Sequence, residues 1–207
     1  MTSDGSENAL SVVVVVLAAG RSSRMDDGGN KLVAVFDGRS LIRRSVSTAL
    51  SSRGQGVVVV TGHRYQEVFT EIVDLPCQIV HNPDHMSGMA SSIGAGVAAA
   101  AKGDPDGIMV ALADMPHLAA EHFNALIGAF AKSGGNAIVR ANGNGYPGNP
   151  VIFPRILYDE LQRLTGDAGA RSLINNASTP VIDVEIGKAA LVDVDTLEQI
   201  LSEGGSI

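Results

Sequence analysis

"VVVVVLAAGRSSRM" (Val12–Met25) decides the fold. Five valines followed by Leu-Ala, with no polar alternation, read as a strand covered on both faces, as in a parallel sheet flanked by helices. The run stops in Ala18-Ala19-Gly20 and at once carries Arg21 and Arg24. In an open parallel sheet the ligand crevice lies beyond the carboxyl ends of the strands, which is where this loop is expected.

Strand and helix patterns alternate on the C-terminal side of this stretch. Strands are predicted over Val12–Ala18, Gly56–Gly62, Cys77–Asn82 and Gly107–Asp114. Between and after them come helices over Ser40–Ser52, with Ser40 as N-cap, Tyr65–Val73, Gly88–Lys102 and Ala119–Gly135. The helix over Gly88–Lys102 is rich in small residues and can approach a neighbour closely. Two strands, Asn136–Asn142 and Gly148–Pro154, flank the turn-rich "GNGYPG". Helices over Ile156–Leu164 and from Gly166 to Asn176 follow, then strands over Val181–Ile186 and Ala190–Thr196 and a last helix over Leu197–Glu203. The sum is a three-layer α/β/α sandwich with a mainly parallel, Rossmann-like sheet. One domain is expected over residues 12–207, behind a flexible tail at 1–11.

Composition narrows the function classes. The chain has 207 residues, 45% hydrophobic but only 4% aromatic, so its core is built from Val, Ile, Leu and Ala. A net charge of −7 argues against non-specific nucleic-acid binding. No apolar run reaches the roughly 18 residues of a membrane span. Met1–Asn8 is polar and lacks a basic n-region, so it does not read as a signal peptide. The single cysteine, Cys77, reads as a small buried hydrophobe in a reducing cytoplasm.

The loop "AAGRSSRMDDGGNK" (Ala18–Lys31) combines small residues, which let a ligand approach backbone N–H groups, with Arg21, Arg24 and Lys31. Backbone amides, guanidinium forks and a lysine together suit a polyphosphate. It is neither a P-loop, since Leu32 follows Lys31, nor a G-x-G-x-x-G dinucleotide fingerprint. A triphosphate brings Mg²⁺, which needs carboxylates. Asp114 ends an apolar strand just before Met115-Pro116 and is expected at the crevice. Asp193 and Asp195 stand two apart on one face of a predicted strand, a pair that repels itself unless a cation intervenes. Asp195 is equally placed to cap the last helix. No activated Ser or Cys nucleophile is evident, and the five histidines lack H-x-x-x-H spacing and read as structural or exposed.

These residues resemble a known family. "LAAGRSSRM…K", "NPDHMSGMASSIGAGV" (Asn82–Val97), "LADMP" (Leu112–Pro116), "GYPGNPVIFP" (Gly145–Pro154), "GDAGARSLI" (Gly166–Ile174) and "DVDT" (Asp193–Thr196) are together similar to MobA-like nucleotidyltransferases. Within them the likeness is strongest to the MocA-type molybdenum cofactor cytidylyltransferases. The resemblance implies transfer of CMP from CTP to the terminal phosphate of molybdopterin cofactor, with release of pyrophosphate. It implies that Leu17, Ala18, Ala19, Gly20, Arg21, Arg24 and Lys31 hold the nucleotide, with Gly88, Ser91 and Ser92 nearby. Arg24, Lys31 and Asp114 are the implied catalytic groups, and Asp114, Asp193 and Asp195 the implied Mg²⁺ ligands. Pro147, Gly148, Pro150, Asp167, Gly169 and Arg171 line the implied acceptor side. A molybdoenzyme of the xanthine dehydrogenase type is an implied recipient. In this family Leu-Ala-Ala-Gly goes with cytidine and Leu-Ala-Gly-Gly with guanosine, so Ala19 points to CTP; its methyl would narrow the space for a purine.

The sequence departs from the family in "MDDGGNK", which places Lys31 six residues after Met25 and interposes Asp26 and Asp27. Competing readings are a guanylyltransferase, a transferase with another phosphorylated acceptor, a protein that binds and delivers the mature cofactor, and a dinucleotide-dependent oxidoreductase, which the missing glycine fingerprint disfavours.

Overall fold

The structure is a computed structural model, and it describes residues 10–21, 25, 29–166, 169–176 and 178–207. The chain opens with β1 (Val12–Ala18), β2 (Val35–Phe36), β3 (Arg39–Ser40) and α1 (Leu41–Leu50). Next come β4 (Gly56–Thr61), α2 (Tyr65–Ile72), β5 (Gln78–His81), α3 (Met89–Ala100), β6 (Gly107–Leu112) and α4 (Ala120–Lys132). The C-terminal part adds β7 (Ile138–Gly143), β8 (Tyr146–Pro154), α5 (Tyr158–Gln162), α6 (Arg171–Asn176), β9 (Val181–Glu185), α7 (Leu197–Ser202) and β10 (Gly205–Ser206). Among the described residues no helix is long and apolar enough to cross a membrane.

The main sheet has the order β5-β4-β1-β6-β8-β7-β9. Its pairs are parallel except those of β8, which runs antiparallel to both β6 and β7. The valine run explains itself here. Val12, Val14, Val16 and Ala18 pack into one core, with Leu41, Ile42 and Val46 of α1, Val68 of α2, and Phe123, Leu126 and Phe130 of α4. Val15 and Leu17 pack into another, with Ile93 and Val97 of α3 and Leu161 of α5. Alternate residues thus bury on opposite faces, so no position along the strand is left for a polar side chain.

Ser40 caps α1 as expected, its Oγ accepting from the Arg43 N–H at 3.4 Å. Three local expectations need correction. Ala190–Thr196 is not a strand: a 3-10 turn over Gly187–Ala190 leads into an irregular segment with Val194 fully buried. That segment crosses the strand ends and is tied to them by the Val194 N–H donating to the Asp114 carbonyl at 3.0 Å. Of the helix expected from Gly166, the described residues show α6 from Arg171, with Gly169 and Ala170 in a turn before it. Cys77 precedes β5 and is half-buried rather than core, and burial pushes its thiol pKa up. A small second sheet, β10-β2-β3, joins the C-terminus to the segment after Lys31.

Candidate active site

Two clefts open above the carboxyl ends of the central strands. The first, about 570 Å³, is lined by Leu17, Ala18, Ala19, Gly20 and Arg21 from the loop after β1. Lys31, Gly88, Ser92, Asp114, Asp193 and Asp195 complete that lining among the predicted residues. The second, about 710 Å³, is lined by Pro147, Gly148, Gly169 and Arg171, and by Asp193. Leu17, Met89, Leu112 and Asp193 belong to both, so the clefts meet at one member of the carboxylate cluster, Asp193. Pro150 is buried in β8 behind the second cleft's lining, and Ser91 sits one residue before Ser92 on the first turns of α3. Arg24 and Asp167 lie outside the described residues.

Asp114 follows β6, whose end is held to β1 by the Ala113 N–H donating to the Leu17 carbonyl at 3.1 Å. Asp193 and Asp195 arrive from the irregular C-terminal segment, and the three carboxylates each present an oxygen within 4.8 Å of the others. Asp195 is not the helix cap. Thr196 is, its Oγ1 accepting from the Gln199 N–H at 3.2 Å, while the Asp195 N–H donates to Gln199 Oε1 at 2.7 Å. Neighbouring roles are thereby divided, and the Asp195 carboxylate stays in the cleft.

Lys31 is buried, and its Nζ stands 2.5 Å from Asp114 Oδ2 and 2.5 Å from Asp195 Oδ1. The Asn30 side chain caps the short turn that carries it, accepting from the Leu32 N–H at 3.1 Å. Burial alone would push the Lys31 ammonium pKa down, but the charges and hydrogen bonds of Asp114 and Asp195 outweigh it and hold the group above its ordinary value. Asp193 has an exposed surface yet is crowded by protein; that desolvation, then repulsion by Asp114 and Asp195, pushes its carboxyl above the usual range. Three carboxylates against the Lys31 ammonium leave a formal −2 in this cluster, and Asp114 Oδ1 is buried without a hydrogen-bond partner. A hard divalent cation fits that donor set and that orphaned oxygen.

Three residues in the site were given no functional role by the sequence. Asn82 is buried, and its Nδ2 donates to Ser91 Oγ and Ser92 Oγ, each at 3.0 Å. Its Oδ1 accepts from the Asp84 N–H at 3.0 Å, and its backbone N–H donates to the Thr61 carbonyl at 2.8 Å. One side chain therefore fixes the start of α3 against the ends of β4 and β5. His85, one of the histidines expected to be structural or exposed, lines the first cleft. The third, Arg140 of β7, lines the second cleft and is held in a fork by Asp183 of β9, at 2.8 and 3.1 Å. A histidine at a loop end and an arginine within a strand gave no spacing signal that could have singled them out.

Comparison with known proteins gives a consistent result. Residues 14–181 match the MobA-like NTP transferase domain. The chain is 33% identical to the purine catabolism protein PucB of Bacillus subtilis, over 91% of this chain and 93% of that one. It is 30% identical to nicotine blue oxidoreductase of Paenarthrobacter nicotinovorans, over 91% and 94% of the two chains. To the molybdenum cofactor cytidylyltransferase of Escherichia coli it is 26% identical, over 91% and 93%. Among solved structures, Rv0371c of Mycobacterium tuberculosis in complex with manganese superposes with a TM-score of 0.78 at 22% identity, covering 94% of this chain and 98% of that one. A nucleotidyl transferase from Methanothermobacter superposes with a TM-score of 0.77 at 24% identity, covering 94% and 96%.

Proposed function

The chain belongs to the MobA-like NTP transferase domain family, and on that premise we propose that it transfers CMP from CTP to a molybdopterin-type cofactor, releasing pyrophosphate. The observation that carries the reading is the pair of clefts meeting at one carboxylate–lysine cluster. Nucleotidyl transfer needs such a layout, with a donor and an acceptor converging on one charged centre. The first cleft offers loop amides, Arg21 and the start of α3 to a triphosphate. The second offers Arg140 and Arg171 above an apolar floor that includes Ile93, Val110 and Phe153, which suits a flat acceptor carrying anionic groups.

In the reaction an oxygen of the acceptor's phosphate attacks the α-phosphorus of CTP, the bond from that phosphorus to the β-phosphate oxygen breaks, and pyrophosphate leaves with the electron pair. Asp114, Asp193 and Asp195 would hold a divalent cation, Mg²⁺ in this reading; when bound, it neutralises phosphate charge. Lys31 keeps two of these carboxylates oriented and brings positive charge to the α-phosphate side. The same role is proposed for Arg24, which lies outside the described residues. Arg171 of the second cleft is proposed to meet the acceptor, and Asp167, outside the described residues, to act with it. Nothing here acts as a nucleophile; the residues position and screen. A solved neighbour of the same fold binds manganese, and a relative carries the cytidylyltransferase name; both support this reading. A molybdoenzyme that receives the product belongs to the same proposal, as does a cytoplasmic setting.

Ala19 lines the first cleft and supports CTP over GTP. Replacing Ala19 with Gly should raise GTP use relative to CTP several-fold in pyrophosphate-release assays; an unchanged ratio would end the steric account. A second reading has one observation in its favour, the relative described as an oxidoreductase. Pyrophosphate release from CTP with Mg²⁺ and molybdopterin cofactor, run beside NADH and NADPH oxidation, separates the two. Nucleotide-dependent pyrophosphate without pyridine-nucleotide oxidation is expected; the opposite pattern would replace the proposal.

A further inference from the structure

We infer that His85 is a base-reading residue of the first cleft, accepting a hydrogen bond from the exocyclic amino group of cytosine and so separating CTP from UTP. The inference rests on the CTP reading above and deepens it.

Topology sets where the base must lie. β1 stands between β6 and β4 in the sheet. Asp114, and with it the carboxylate–lysine cluster, follows β6 on one flank. The triphosphate's α-phosphorus belongs at that flank. The nucleoside then extends across the end of β1 toward the β4 flank, two strand spacings or roughly 10 Å away. What waits there is Gly62, Ala19 and His85. A Cβ on Gly62 would stand 2.6 Å from His85 Cβ and 2.8 Å from Ala19 Cβ, so these side chains meet across a position that only glycine fits. Ala19 and His85 therefore form one wall, and both line the first cleft.

The ring's hydrogen-bonding sense follows from its neighbour. His85 Nδ1 lies 3.1 Å from the Asn82 backbone carbonyl, which can only accept. Nδ1 therefore carries the hydrogen, and in the neutral ring Nε2 is left as an acceptor. Asn82 is buried and bonded to Thr61, Asp84, Ser91 and Ser92, so the carbonyl that sets this tautomer is itself fixed. CTP and UTP differ at ring carbon C4, an amino donor in one and a carbonyl acceptor in the other. An acceptor nitrogen pairs with the first and opposes the second.

The test is binding of CTP and UTP with Mg²⁺ by calorimetry, in the full chain and in His85→Phe and His85→Gln, with melting curves to show that each variant folds. The unaltered protein should prefer CTP by about tenfold or more. His85→Phe should bring the two nucleotides within about threefold, through loss of CTP affinity. His85→Gln, whose amide can donate or accept, should keep CTP binding and gain UTP. A CTP-over-UTP preference that survives His85→Phe overturns the inference alone. An unaltered protein that takes GTP and ignores CTP overturns the CTP reading and this inference with it.

Discussion

At Lys31 the ammonium stands 2.5 Å from both Asp114 and Asp195, so removing it leaves clustered carboxylates without their counter-charge. Lys31→Met should lower stability by about 3 kcal/mol in metal-free buffer, the cost of breaking a buried pair by losing one partner. Mg²⁺ or Mn²⁺ should raise the melting temperature of this variant more than that of the unaltered protein, because the cation then replaces the missing charge. Equal metal-induced shifts in both would show that lysine and cation do not share this site. Asp114 was legible in the sequence because a carboxylate ending an apolar strand has nowhere to go but the crevice. Asn82 and His85 were not. Their roles depend on which carbonyl and which hydroxyls the fold brings beside them, and no spacing rule encodes that. Asn82→Ala strands the buried Ser92 hydroxyl and frees the start of α3. A loss of about 1–3 kcal/mol in denaturant melts, with a raised KM for nucleotide, is expected.

At the scale of elements, the apolar runs of β1, β4 and β6 announced themselves, since a strand buried on both faces admits only apolar residues. The helices over α1 and α4 were equally plain from their 3.6-residue period. The direction of β8 was less legible: a strand pattern reads the same both ways, and only the short turn after β7 forces it antiparallel. The two-residue strands β2, β3 and β10 are too short to carry any period. Ala190–Thr196 alternates like a strand because Val194 is buried in the core and Val192 is half-buried, in an irregular segment that must deliver two carboxylates to the cleft. That segment leans on β8 at Gly148, where an added Cβ would lie 2.1 Å from the Ala190 carbonyl oxygen. Gly148→Ala should therefore push the 3-10 turn and the Asp193–Asp195 stretch outward. We expect a loss of about 1–3 kcal/mol and a fall in metal affinity together. Loss of stability with unaltered metal affinity would show that the two regions move independently.

At the scale of the whole molecule, acid sensitivity has an identifiable contributor outside the lining of either cleft. Arg43 of α1 holds Asp74 through two hydrogen bonds, at 2.8 and 2.7 Å, and this pairing brings the Asp74 carboxyl from its usual range to about 2. A carboxyl depressed in the folded state stabilises above its ordinary pKa and loses that contribution as pH falls toward its folded value. The Asp74→Asn protein should therefore show a shallower fall in melting temperature between about pH 4 and pH 2. A parallel pair of curves would mean that the exposed pair contributes nothing measurable. One measurement addresses the chemistry most directly: transfer of label from the α-phosphate of CTP, or of GTP, into molybdopterin cofactor with Mg²⁺, with Asp114→Asn alongside. We predict labelled product and equimolar pyrophosphate from CTP, little from GTP, and a loss of about a hundredfold or more in Asp114→Asn. Bound nucleotide with no label in the acceptor, or equal transfer by Asp114→Asn, would contradict it.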